Sequence, residues 1–265
     1  MSPLHYAKVG SGSEPLLCFH GAGQDGESCF NPFAQQVGER FTLYAFDLFY
    51  HGKSGCLCGR EFTDNELVTK ETWQKYLHQF LQENNITQFS VAGFSMGGRF
   101  ALTTLEAFAH NINEVFLMAP DGLTDHWLYV LATRFALTRR VFKVIAFQQD
   151  KLQSLGKWLL KLRLIDPSTI RFAQAMMNTP EKQQQIYQTW IGFRALRFSP
   201  QKLAQLIEIH QVKTWIFMGK YDKIMPLKEA YSFTNHLKDN KLVVLDSGHG
   251  RLVEKTAMYL RKLTP

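Results

Sequence analysis

Three residues that together can perform nucleophilic acyl chemistry stand just after β-rich runs of this 265-residue sequence. They are Ser95 in Gly93-Phe94-Ser95-Met96-Gly97, Asp222 in Gly219-Lys220-Tyr221-Asp222, and His249 in Ser247-Gly248-His249-Gly250. A serine hydroxyl becomes a useful nucleophile when an imidazole takes its proton, and the imidazole needs a carboxylate to hold it in the right tautomer. The G-x-S-x-G pattern suits a strained strand-to-helix turn whose flanking glycines remove side chains that would collide with neighbouring backbone. A fourth element, His20-Gly21-Ala22-Gly23, also follows a β-rich run. Acyl transfer needs two donors aimed at the developing oxyanion, and the backbone N–H groups of Ala22 and Met96 are the expected pair. His20 precedes that turn and reads as a structural residue. The chemistry requires no metal and no organic cofactor.

These residues need a frame that brings them to one edge. Short β-rich runs fall at 16–20, 41–47, 89–94, 114–119, 214–219 and 241–245, with helical spacing between most of them. Alternation of this kind predicts a mostly parallel sheet flanked by helices, an α/β fold, with 5–9 as a leading edge strand. The order Ser95, Asp222, His249 then puts all three at carboxyl ends of parallel strands, where open α/β sheets keep their sites. Helices are expected at 32–37, with Pro32 in a first helical position, and at 65–83, 97–110, 226–237 and 252–262. Residues 121–200 change rhythm, with apolar side chains at helical spacing and no strand pattern. They read as an inserted helical cap of four or five short helices, two of them started by Pro167 and Pro180, leaving 1–120 and 201–265 as the core.

With these motifs in place the chain resembles the α/β-hydrolase fold family over nearly its whole length: HGAG at His20, DLFYHGKS at Asp47, GFSMGG at Gly93, GKYDKIMP at Gly219 and SGHG at Ser247. The resemblance implies a Ser95-Asp222-His249 triad beneath a helical cap inserted after the run 114–119. Many members have Pro-Gly where this chain has Phe49-Tyr50, in a loop that borders the site. Some members place the acid after the run 114–119, which makes Asp121 a rival to Asp222; the G-x-x-D-x-x-x-P setting favours Asp222. Arg99, one turn beyond the elbow, matches an arginine of the menaquinone-pathway synthase, a lyase with the same triad. Its alternative reading is a helix-surface arginine paired with a nearby acid. The expected function is serine hydrolysis of an ester or other acyl bond through an acyl-enzyme, with the lyase and a ligand-binding receptor as alternatives.

The composition narrows the partners. Thirty Lys and Arg against 23 Asp and Glu leave +7, without zinc-finger spacing or an RNA-binding signature, so a small-molecule acyl substrate is expected and nucleic acid is not. Residues 121–200 hold twelve Lys and Arg against five acids, which equals the whole net charge. That charge can steer an acidic or amphiphilic substrate, or merely solvate outer helix faces. The stretch Lys157-Trp158-Leu159-Leu160-Lys161-Leu162-Arg163-Leu164 can pack its leucines on the core or rest on an anionic membrane surface. Cys18, Cys29, Cys56 and Cys58 form neither a disulfide framework nor a zinc site. With no apolar signal segment in the sequence, a cytoplasmic setting is expected.

Overall fold

The computed structural model describes residues 4–55, 62–124, 127–238 and 241–263. Seven strands form one sheet: β1 (Tyr6–Val9), β2 (Glu14–Phe19), β3 (Phe41–Phe46), β4 (Phe89–Phe94), β5 (Ile112–Met118), β6 (Lys213–Gly219) and β7 (Lys241–Leu245). Their spatial order is β1-β3-β2-β4-β5-β6-β7. All pairings are parallel except β1 with β3; the leading strand lies at one edge, as the sequence predicts, and its antiparallel direction is a feature the sequence pattern does not specify. The runs differ in burial according to their place. All six residues of central β4 (FSVAGF) are buried, whereas outer β7 (KLVVL) has none buried.

Helix α1 (Gly26–Val37) packs with α11 (Leu252–Arg261) on one face of the sheet. On the other lie α2 (Lys70–Glu83), α3 (Gly97–Phe108) and α9 (Pro200–His210), with α10 (Lys228–Thr234) packing on α9. Aromatic side chains fill the space between layers. Trp73 of α2, for example, meets Phe19 of β2 and Phe100 of α3 edge-on, with ring centroids 5.3 and 4.8 Å apart.

Two predicted helix starts are corrected. Helix α1 begins at Gly26, six residues before Pro32, because Asp25 caps it by accepting from Ser28 N–H at 2.8 Å. Pro32 therefore sits inside the helix, not at its first position. Helix α2 begins at Lys70 instead of residue 65, since Thr69 supplies the cap and the preceding Val68 N–H donates to Gly192 O at 2.9 Å. Helix α9 has no counterpart among the predicted elements.

Between β5 and α9 the described residues form five helices: α4 (Trp127–Arg134), α5 (Ala136–Ala146), α6 (Gln149–Lys161), α7 (Pro167–Met176) and α8 (Pro180–Gly192). Pro167 and Pro180 do open helices, where a missing N–H costs nothing. This segment has its own small apolar cluster, Ala146, Met177, Ile186, Tyr187 and Ile191, beside the main core. Ala22 touches both clusters, so the HGAG turn lies where the helical segment meets the sheet.

Candidate active site

Ser95 follows β4 directly and precedes α3, with φ at +51°. That left-handed conformation costs a non-glycine residue about 1–2 kcal/mol, and the surroundings enforce it. Ser95 N–H donates to Met118 O at 2.9 Å, and Ser95 O accepts from Gly98 N–H and Asp121 N–H, each at 2.8 Å. The flanking glycines are required by space. A Cβ on Gly97 would lie 1.9 Å from Phe19 O, and one on Gly93 would lie 2.8 Å from Gly97 O.

The structure brings Ser95, His249 and Asp222 into one line. Ser95 Oγ is 3.1 Å from His249 Nε2, and His249 Nδ1 is 2.7 Å from Asp222 Oδ2. The other Asp222 oxygen, Oδ1, accepts from Ile224 N–H and Met225 N–H at 2.9 Å each, which fixes the carboxylate plane. With Asp222 as acceptor, the imidazole carries its proton on Nδ1 and offers Nε2 to the serine hydroxyl. The Asp222 side chain is fully buried and that of His249 is 10% exposed, so little water competes for their bond. Phe94 holds the other side of the imidazole, its ring centroid 4.9 Å away.

The rival acid lies elsewhere. Asp121 accepts from Arg99 Nε at 2.6 Å and from Arg99 Nη2 at 3.0 Å, a bidentate pair, while Arg99 Nη1 donates to Leu196 O at 2.7 Å. Arg99 pairs with a nearby acid, as one reading expects, but not on the helix surface: it is 2% exposed, with its guanidinium 4.5 Å from the Tyr129 ring centroid. It ties the elbow helix to the chain returning from α8. These contacts direct the Arg99 guanidinium to Asp121, Leu196 O and the Tyr129 ring.

Two histidines organise the turn that carries Ala22. His20 Nδ1–H donates to Gly21 O at 2.7 Å, and its Nε2 accepts from Leu48 N–H at 3.0 Å. His51 Nδ1–H donates to Phe49 O at 2.9 Å, and its Nε2 accepts from Gly23 N–H at 3.2 Å. Gly21 and Gly23 N–H groups are thus engaged on either side of Ala22, since Gly21 N–H donates to Gln24 Oε1 at 3.2 Å. Neither Ala22 N–H nor Met96 N–H has a backbone acceptor among the described residues. Both rings serve as neutral donor-acceptors. Burial lowers the pKa of His20, and burial together with the neighbouring His20 lowers that of His51 to about 3.

Sequence reasoning gave His51 no role and left Tyr50 only as a departure from the family pattern. The available signal was repetition: His20-Gly21 and His51-Gly52 follow β2 and β3, which are neighbours in the sheet. Tyr50, at φ +69°, stacks on Phe193 with centroids 5.7 Å apart, accepts from Gln185 Nε2 at 2.9 Å and donates from its hydroxyl to Glu66 at 3.1 Å. Tyr50 therefore ties the loop after β3 to α8, while Phe49 packs edge-on against Trp73 and Tyr76 of α2. Cys18 and Cys29 are buried free thiols, and burial pushes Cys29 up to about 12. Cys56 and Cys58 lie outside the described residues. Among the described residues no cluster of three metal-ligating side chains occurs, and no helix is long and apolar enough to cross a membrane.

The motifs, topology and site geometry define a known class. Residues 14–256 match the family model of the alpha/beta hydrolase fold, and the chain belongs to that family. A 2-hydroxy-6-oxo-6-(2'-aminophenyl)hexa-2,4-dienoic acid hydrolase of Metapseudomonas resinovorans is 23% identical over 260 residues, covering 94% of this chain and 82% of that protein. A thermophilic esterase from Thermogutta terrifontis superposes with a TM-score of 0.68 at 16% identity, over 98% of this chain and 92% of that one. A meta-cleavage product hydrolase from Pseudomonas fluorescens IP01 gives 0.63 at 18% identity, with the same coverage of 98% and 92%. At these identities the solved structures share the fold.

Proposed function

We propose that the protein is a serine hydrolase that cleaves an ester or other acyl bond of a small-to-medium substrate, acidic or amphiphilic in character, through an acyl-enzyme. The observation that carries this reading is the continuous Ser95–His249–Asp222 relay at 3.1 and 2.7 Å. Ser95 Oγ attacks the carbonyl carbon as His249 Nε2 takes the hydroxyl proton, and Asp222 stabilises the imidazolium and keeps the ring oriented. The carbonyl π electrons move onto oxygen, where Ala22 and Met96 N–H groups receive the charge. Collapse of this adduct expels the alcohol or other leaving group, protonated by His249, and forms the acyl-serine. Water, deprotonated by the same imidazole, then releases the acid and returns the proton to Ser95.

The helical segment 121–200 serves as a cap over the site, with Met176 at its inner edge. A Cβ on Gly23, next to Ala22, would come 2.9 Å from Met176 Sδ. The preference for an acidic substrate rests on the positive charge of that segment, and the Metapseudomonas relative is itself named for hydrolysing a dienoic acid. The test is labelling by a fluorophosphonate together with turnover of p-nitrophenyl esters of graded acyl length. Covalent labelling of wild type but not Ser95→Ala, with ester turnover in wild type alone, is expected. A protein that takes no label and turns over no ester, yet binds small ligands, is instead a receptor on the same fold.

A further inference from the structure

Helix α5 is apolar on two opposite sides, and the helical segment covers only one of them. Inward, Phe142 stacks on Trp190 with centroids 5.1 Å apart, and Ala146 is fully buried in the small cluster. Outward, Leu137, Val141 and Val144 repeat at helical spacing and are 71%, 51% and 45% exposed. A helix apolar all round is normally enclosed. Val141 and Val144, with Ile145, line an open groove of about 380 Å³ whose charged members are Arg140 and Lys151. Lys151 belongs to α6, and seven residues further along the same stripe stands Trp158, 56% exposed, followed one turn later by Leu162. Of sixteen large apolar side chains exposed among the described residues, ten lie between Trp127 and Leu164.

We propose that this α5–α6 face docks on a lipid bilayer bearing anionic headgroups. The inference goes beyond the hydrolase reading and does not depend on it. Charge selects the occupant. Residues 127–164 contain eight Lys and Arg against one acid, and no ion pair among the described residues engages Arg140, Lys151, Lys157, Lys161 or Arg163. A second copy of the chain would bring two cationic faces together, whereas an anionic bilayer complements the charge and accepts the apolar stripe between its headgroups. Trp158 has the amphipathic ring favoured at that depth, and the lysine stems can lie along apolar surface while their ammonium groups reach phosphate.

The experiment is co-sedimentation of the full chain with vesicles of phosphatidylcholine alone and of phosphatidylcholine with 30% phosphatidylglycerol. Binding to the mixed vesicles and not to the neutral ones is expected, weakening as salt rises and the Debye length falls from about 30 Å to about 8 Å. Arg140→Glu with Lys151→Glu should lower the partition coefficient about 25-fold or more, since each lost basic residue is worth about fivefold. Leu137→Ser with Val141→Ser and Val144→Ser, which keeps every charge, should lower it about tenfold or more. Circular dichroism checks folding, and the charge-reversed protein decides alone if the serine variant is unfolded. No sedimentation with mixed vesicles, equal sedimentation with neutral ones, or binding indifferent to the charge reversal overturns the proposal. So does a wild-type dimer in light scattering that the serine variant converts to monomer while vesicles bind neither form.

Discussion

A Cβ added to Gly97 would lie 1.9 Å from the backbone oxygen of Phe19, whereas one added to Gly156 in α6 would meet only the end of the Ile170 side chain, at 3.1 Å. At Gly97, backbone presses on backbone and nothing can give. At Gly156 the neighbour is a side chain, and a few tenths of an ångström are available by rotation. The charge is divided in the same way: residues 121–200 carry +7 and the remainder of the chain is neutral. The two regions therefore have different tasks. The proposed triad sits at the sheet edge, where its geometry tolerates little error, and the helical segment presents a surface whose composition matters more than its exact positions.

The sharpest way to break this division is at the nucleophile. Ser95→Ala should leave the circular dichroism spectrum and unfolding midpoint near those of wild type while lowering kcat for ester hydrolysis by about six orders of magnitude, as removal of a triad nucleophile does. Retained turnover in pure variant would move the chemistry away from the elbow. Asp222→Asn comes next, with a loss of about four orders in kcat, because an amide no longer holds the productive tautomer. Asp121→Asn should keep most of the activity and appear instead as a lower urea midpoint, since it removes the anion beside buried Arg99; the opposite ranking would make Asp121 the acid. Gly97→Ala should destabilise by about 3 kcal/mol or more through backbone overlap, and Gly156→Ala should remain within about 1 kcal/mol of wild type in the same urea titration.

The sheet was legible in the sequence because its buried strands are continuous apolar runs that end at Gly-rich turns, so both their type and their carboxyl ends are marked. Ser95 and Asp222 were legible for the same reason, each following such an end; His249 follows outer β7, which has no buried residue and was marked by its β-rich run KLVVL and the Gly-rich turn after it. What the sequence did not disclose depends on contacts distant along the chain. The bond from Val68 to Gly192 shortens α2, and Arg99 is buried because Asp121 and Leu196 meet it from two other segments. His51 could be seen as half of a repeated His-Gly pair, but its partner Gly23 lies 28 residues away. Helical spacing marked four or five short helices between residues 121 and 200; it left unstated which faces they bury, since α5 has two apolar sides and only one inward neighbour set.

Acid should separate the two regions again. His51 accepts from Gly23 N–H, and protonating its Nε2 would set donor against donor beneath the Ala22 turn. Its pKa is held at about 3 by burial and by His20, while the unfolded chain titrates near the ordinary histidine value of about 6.5. The unfolded state thus binds more protons between those values, so stability is full above about pH 6.5 and declines as pH falls toward 3. Between pH 7.5 and pH 5 the loss from this residue should be about 2 kcal/mol in urea unfolding. Removing the imidazole in His51→Asn should flatten that dependence; an unchanged slope would show that other groups carry it.

The smallest expected effect tests whether the positive segment also serves the reaction. Long-range steering acts on encounter, so it should appear in kcat/KM and not in kcat, and only for substrates that carry charge. For two esters matched in acyl length, one neutral and one with a carboxylate, the anionic ester should be preferred by a few-fold at about 0.01 M salt. The preference should shrink toward unity at about 0.15 M, where the Debye length has fallen from about 30 Å to about 8 Å. Short-range recognition would behave differently, because a carboxylate paired directly with an arginine in a dry pocket is screened little by salt. A strong anion preference that persists at high salt would therefore place a cation inside the site. No preference at either salt concentration would leave the +7 of residues 121–200 entirely to the outer surface, where Arg140 and Lys151 flank an apolar groove.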